Sequence, residues 1–117
     1  MLESSPSRIE VGVFDHLDDS GLQLGRQYEE RLEIAEACDR SGIRGYHVAE
    51  HHGTPHGLAS APNLLLSAMT QRTRTLRLGP MVMPLNLCHP LRAFEEISML
   101  DQRSPPSKPR CAYAQVN

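Results

Sequence analysis

Four of the six histidines, His47, His51, His52 and His56, fall within ten positions and enclose Glu50. A neutral imidazole near pH 7 gives or takes a proton, and an adjacent carboxylate can fix its tautomer, so this stretch has the composition for general acid/base work. His47-Val48-Ala49-Glu50-His51 also fits H-x-x-E-H. On a helix that spacing sets two histidines one turn apart as zinc ligands, with the glutamate as base. The local residues oppose such a helix. Gly45, Gly53 and Pro55 bracket the segment and Tyr46 and Val48 suit a strand. Strand alternation would put His47 and His51 on one face roughly 13 Å apart at ~3.3 Å per residue. Zinc is therefore the weaker alternative to a loop of proton-carrying histidines. The blander reading is a set of solvated loop histidines with Glu50 pairing locally.

The second unusual place is Gly79-Pro80-Met81-Val82-Met83-Pro84, just before Cys88-His89-Pro90. Ordinary turn chemistry accounts for the prolines, and a packed strand end accounts for the bulky residues. The functional alternative is a flat apolar ligand resting on Met81 and Val82.

The elements that must carry these residues alternate. Ile9-Glu10-Val11-Gly12-Val13-Phe14 reads as a strand ending at Asp15-His16, and Asp18-Asp19-Ser20-Gly21 as a turn. From about Gln27 to Arg40, Tyr28, Leu32, Ala35 and Cys38 recur at helical spacing beside Ile34, and Ser41-Gly42 stops the helix. Tyr46-His47-Val48-Ala49 is a second strand. Ser60 then caps a helix with Pro62 in its first turn and Leu65, Ala68 and Met69 inward, before Gln71-Arg72-Thr73-Arg74. Arg72, Arg74 and Arg77 read as solvated. A third strand over Leu76 to Met83 precedes a helix opened by Pro90, whose apolar stripe is Leu91, Phe94, Ile97 and Leu100.

Three β–α alternations with short connections argue for parallel strands joined by helical crossovers. Residues just past the C-terminal ends of such strands line the functional crevice, and Glu50, His51 and His52 stand there. Three strands do not finish a sheet of this class, because a (β/α)8 barrel needs eight and roughly 250 residues. The expected organisation is a polar leader over 1–7, an α/β domain over 8–102 that comprises three βα units, and a divergent tail over 103–117. Three of the nine prolines and the single lysine, Lys108, lie in that tail, which reads as disordered.

Composition narrows the function further. The 117 residues carry 12 Lys+Arg against 14 Asp+Glu, a formal charge of −2, which excludes a basic nucleic-acid binder. With 4% aromatics and no Trp, a base-stacking platform has little to be built from. Cys38, Cys88 and Cys111 are an odd, widely spaced set, which reads as a reduced, cytosolic chain without a disulfide scaffold. No run approaches the ~20 apolar residues that span a bilayer, so no membrane partner is expected.

Taken together, Val13-Phe14-Asp15-His16, Tyr28-Glu29-Glu30-Arg31-Leu32, His47-Val48-Ala49-Glu50-His51-His52-Gly53-Thr54-Pro55, Leu78-Gly79-Pro80, His89-Pro90-Leu91-Arg92 and Met99-Leu100-Asp101-Gln102 resemble the N-terminal part of a bacterial luciferase-like, flavin-dependent monooxygenase. The resemblance runs from about Arg8 to Ser104. It implies a TIM barrel in which reduced FMN, supplied by a separate flavin reductase, and O2 oxidise a small organic substrate without a metal. It implies that His51 is the active-site histidine at the flavin's reactive edge, with His52 its neighbour and Glu50 beside them. It also implies a non-prolyl cis peptide at Met81-Val82, on which the isoalloxazine packs. After Asp101-Gln102 the family usually continues through Ser-Gly-Gly-Arg, whereas Ser104 here leads to Pro105-Pro106-Ser107. The family's phosphate site lies in late βα loops, so the expectation is a truncated fragment, inactive alone and prone to form homo-oligomers. A deazaflavin-dependent oxidoreductase of the same superfamily and a non-catalytic half-barrel interaction module are the alternatives.

Overall fold

The computed structural model describes residues 9–102; the leader over 1–7 and the tail over 103–117 lie outside the described residues. Three strands, β1 (Gly12–Asp15), β2 (Gly45–Val48) and β3 (Arg77–Pro80), alternate with three helices, α1 (Leu24–Arg40), α2 (Pro62–Arg72) and α3 (Pro90–Gln102). The strands form one parallel sheet in the order β1-β2-β3. A single 3-10 turn over Leu85–Leu87 precedes α3. The expected α/β architecture is therefore present as three successive βα units.

Register assigns every strand residue to a face, because paired residues in a parallel sheet point the same way. Val13, Tyr46 and Leu78 form one row and Asp15, Val48 and Pro80 the next. These rows meet the helices. The core joins Tyr46, Val48 and Leu78 to Ala35 from α1, Leu65, Leu66 and Met69 from α2, and Leu100 from α3. The opposite face carries Gly12, Gly45 and Arg77 in one row and Phe14, His47 and Gly79 in the other. The helices lie on the other side of the sheet from Phe14, which is 47% exposed.

Polar anchors fix the layers. The Asp15 carboxylate accepts the Tyr46 hydroxyl proton and pairs with Arg31 Nε at 3.0 Å, tying β1, β2 and α1 together. Burial and that carboxylate push the Tyr46 hydroxyl well up from its ordinary value. At the other end of α1, Asp39 accepts the backbone N–H groups of Arg74, Thr75 and Leu76 at 2.7 to 2.9 Å, and the Thr75 hydroxyl as well. Burial opposes the Asp39 charge, but these donors outweigh it and hold the carboxyl below its ordinary value. Asn63 on α2 donates to Glu96 on α3 at 2.9 Å.

Several local expectations need correction. The helix stripe on α3 is rotated: Ala93 and Leu100 face the core, while Leu91 and Phe94 are exposed, Phe94 by 69%. On α2 Leu65 and Met69 face inward as expected, but Leu66 rather than Ala68 joins them, and Ala61 rather than Ser60 stands at the N-cap. Helix α1 begins three residues before Gln27, which is itself buried and donates to the Leu22 carbonyl at 2.8 Å. Arg72 is not merely solvated, since it pairs with Glu29 and Glu36. Among the described residues no helix is long and apolar enough to cross a membrane.

Candidate functional site

The C-terminal ends of the three strands lie side by side, and the second and third are each followed by a residue held by a backbone bond. Ala49 N–H donates to the Asp15 carbonyl and Met81 N–H to the Val48 carbonyl, both at 2.9 Å, so the ladder runs one residue beyond the strands. The loops above are tied to each other as well. Leu58 N–H donates to the Leu17 carbonyl at 2.9 Å, and Asp18 and His56 form an antiparallel bridge. The loop after β1 thus braces the loop that carries the histidines.

His51 lies at the centre of this arrangement. Its ring stacks on that of His16, with centroids 5.8 Å apart and planes inclined by 21°. His16 in turn meets the Phe14 ring at 4.5 Å and 57°. Gly57 approaches from the same loop. A Cβ on Gly57 would stand 2.7 Å from His51 Cδ2 and 2.8 Å from His51 Cβ, and the residue's φ of +115° admits only glycine without strain.

The remaining candidates divide into separate groups. Glu50 is not the partner of His51: its Oε1 accepts from His52 Nε2 at 2.7 Å, so the carboxylate sets the tautomer of His52. This pair faces an open recess of about 180 Å³ shared with Asn63, Met83, Leu87 and Cys88. His47 is turned away from His51, its Nε2 lying 3.5 Å from where a Gly45 Cβ would stand. Burial depresses its basicity, the adjoining Arg77 cation adds to that, and a hydrogen bond with Gly79 backbone works the other way. The H-x-x-E-H residues are not on a helix, since β2 runs to Val48, and no group of three metal-ligating side chains occurs among the described residues. The Met81–Val82 peptide bond is cis, at the position the resemblance implies, and Val82 is exposed beside the third strand end.

Two further residues stand at the centre, His16 and Gly57. For His16 a signal existed in the sequence: it stands just past the first strand, as His51 stands past the second. For Gly57 none existed, because its role is a close approach that only the folded loop creates.

The chain matches the family model described as luciferase-like monooxygenase over residues 9–106. It is 62% identical over 99 residues to the uncharacterized protein y4wF of Sinorhizobium fredii, covering 85% of this chain and 29% of that protein. It is 29% identical over 91 residues to the oxygenase component of the flavin-dependent trigonelline monooxygenase of Acinetobacter baylyi, covering 76% of this chain and 25% of that one. In three dimensions it is similar to the oxygenating constituent of 3,6-diketocamphane monooxygenase of Pseudomonas putida, solved with FMN, with a TM-score of 0.78 at 24% identity over 82% of this chain and 27% of that chain. The chain thus spans under a third of the length of these proteins, matching TIM-barrel monooxygenases in fold over its three βα units. By sequence and by fold it belongs to the luciferase-like monooxygenase family.

Proposed function

We propose that residues 8–102 supply the first three βα units of a flavin-dependent monooxygenase barrel, with His51 as the residue that acts at the reactive edge of the flavin. The observation that carries this reading is the fixed setting of His51: a ring at a parallel-strand C-terminal end, stacked on His16 and closely approached by Gly57. Reduced FMN supplies the oxygen-activating chemistry. The sheet face that carries Phe14, His47 and Gly79 offers an apolar wall in Phe14 for a flat ring system, and Met81 and Val82 border it. Arg31 is engaged by Asp15 and Arg92 by Glu96, and we place the phosphate on late βα loops of the completed barrel.

Within this reading His51 holds or moves a proton at the flavin edge, and His52, oriented by Glu50, lines the adjoining recess as the second proton-carrying group. The name of the Acinetobacter relative, an oxygenase component, supports a separate flavin reductase as partner. The substrate is a small organic molecule. A polypeptide of these 117 residues alone is expected to hold FMN poorly and to turn over nothing.

The test is an FMN fluorescence titration of two polypeptides: the 117-residue chain, and a chimera in which residues 9–102 replace the matching segment of y4wF. The expected result is saturable binding by the chimera and none by the 117-residue chain at micromolar concentrations. Absence of binding by the chimera, whether or not y4wF itself binds FMN, would overturn the reading.

A further inference from the structure

We infer that His16 is a positioning residue for His51, holding its imidazole at a fixed place and tilt on the strand-end surface; the inference rests on the functional reading of His51 given above. Three observations carry it.

The first is that His16 is exposed and contributes nothing to the core, yet it is flanked on both sides by anchored residues. Asp15 before it is engaged by Tyr46 and Arg31. Leu17 after it is 0% exposed, has a φ of +52° and donates its N–H to Asp15 Oδ1 at 2.8 Å. A surface histidine between two such anchors is fixed in direction by the fold rather than left to solvent. The second is the ring contact itself. His16 meets His51 nearly face to face at 5.8 Å, and Phe14, two residues earlier on the same face, buttresses His16 at 4.5 Å. The third is convergence from the other loop: Gly57 is closed against His51, and that loop is hydrogen-bonded to Leu17, the residue next to His16. The His51 ring is therefore confined by both loops at once. For a proton-carrying group, small displacements cost rate even when binding is intact.

The experiment uses the full 117-residue chain and needs no flavin. Carbethoxylation rates of the individual histidines are measured by mass spectrometry in the unaltered chain, in His16→Ala and in His16→Phe, with far-UV dichroism reporting the fold. His51 is expected to react severalfold faster in His16→Ala, to return towards the original rate in His16→Phe, where a stacking ring is restored, and the exposed His56 and His89 to be unaffected. An unchanged His51 rate in His16→Ala, an equal rise at all histidines, a failure of His16→Phe to restore the rate, or loss of fold in His16→Ala would each overturn the inference. In the chimera with y4wF, His16→Ala is further expected to lower His51-dependent oxygen uptake by between ~10- and ~100-fold with FMN affinity unchanged. Failure of FMN to bind that chimera would overturn the flavin reading, and the carbethoxylation result would stand apart from it.

Discussion

At the scale of single residues, the site is set by contacts that side-chain type alone does not reveal. Gly57→Ala places a Cβ within 2.7 Å of the His51 ring at a φ of +115°, so the substitution must displace His51 and strain the loop. It is expected to lower stability by about 1–3 kcal/mol, read by thermal unfolding, and to raise the carbethoxylation rate of His51. A wild-type melting curve and an unmoved His51 rate would contradict the packing described. His47 gives a pH-dependent counterpart. Its folded-state basicity is held below the ordinary value of 6.5, chiefly by burial. The unfolded chain therefore binds the proton first as pH falls. The stability associated with neutral His47 is complete above that value and declines as pH drops through it towards the depressed folded value. His47→Gln is expected to remove that component, seen as a smaller fall in Tm between about pH 7 and 5.

At the scale of elements, the joint between α1 and β3 depends on one carboxylate. Asp39→Ala leaves the N–H groups of Arg74, Thr75 and Leu76 without their acceptor and is expected to cost about 1–3 kcal/mol in denaturant unfolding. Because the Asp39 carboxyl is held below 3.8, its contribution is present above that value and is lost as pH falls through the lower folded value; the variant should show a flatter acid limb. This joint also shows what could be read from the sequence and what could not. The β–α alternation was legible because Val13, Tyr46 and Leu78 alternate with inward-facing glycines and polar residues, and because Pro62 and Pro90 open helices at their first turns. The position of the histidine loop past the second strand followed from the same pattern. The facing of α3 was not legible: Leu91, Phe94, Ile97 and Leu100 make an apolar stripe on any helical wheel, but the residues buried on α3 are Ala93 and Leu100. Local pairing of Glu50 was legible, but not its choice of His52, since an i,i+2 contact depends on the loop's turn and not on spacing.

Across the whole molecule, the helices of the three βα units lie on one side of the sheet, leaving Phe14 half exposed on the other and Leu64 and Met99 exposed along the groove between α2 and α3. Exposed apolar surface of this kind favours association. A polypeptide of these 117 residues is therefore expected to self-associate with rising concentration in light scattering and to bind a hydrophobic dye, and the chimera with y4wF to lose the dye signal as the face is covered. A monodisperse, dye-silent monomer at all concentrations would contradict an open inward face.

If His51 works at a flavin in the completed barrel, oxygen uptake depends on its imidazole. The chimera is supplied with FMN, a flavin reductase and its nicotinamide donor, and compared with its His51→Ala variant at matched flavin occupancy. Loss of the proton-carrying group is expected to change the flavin-dependent rate by about 10²-fold or more while FMN affinity is retained. Equal rates in the two proteins at equal occupancy would contradict the account.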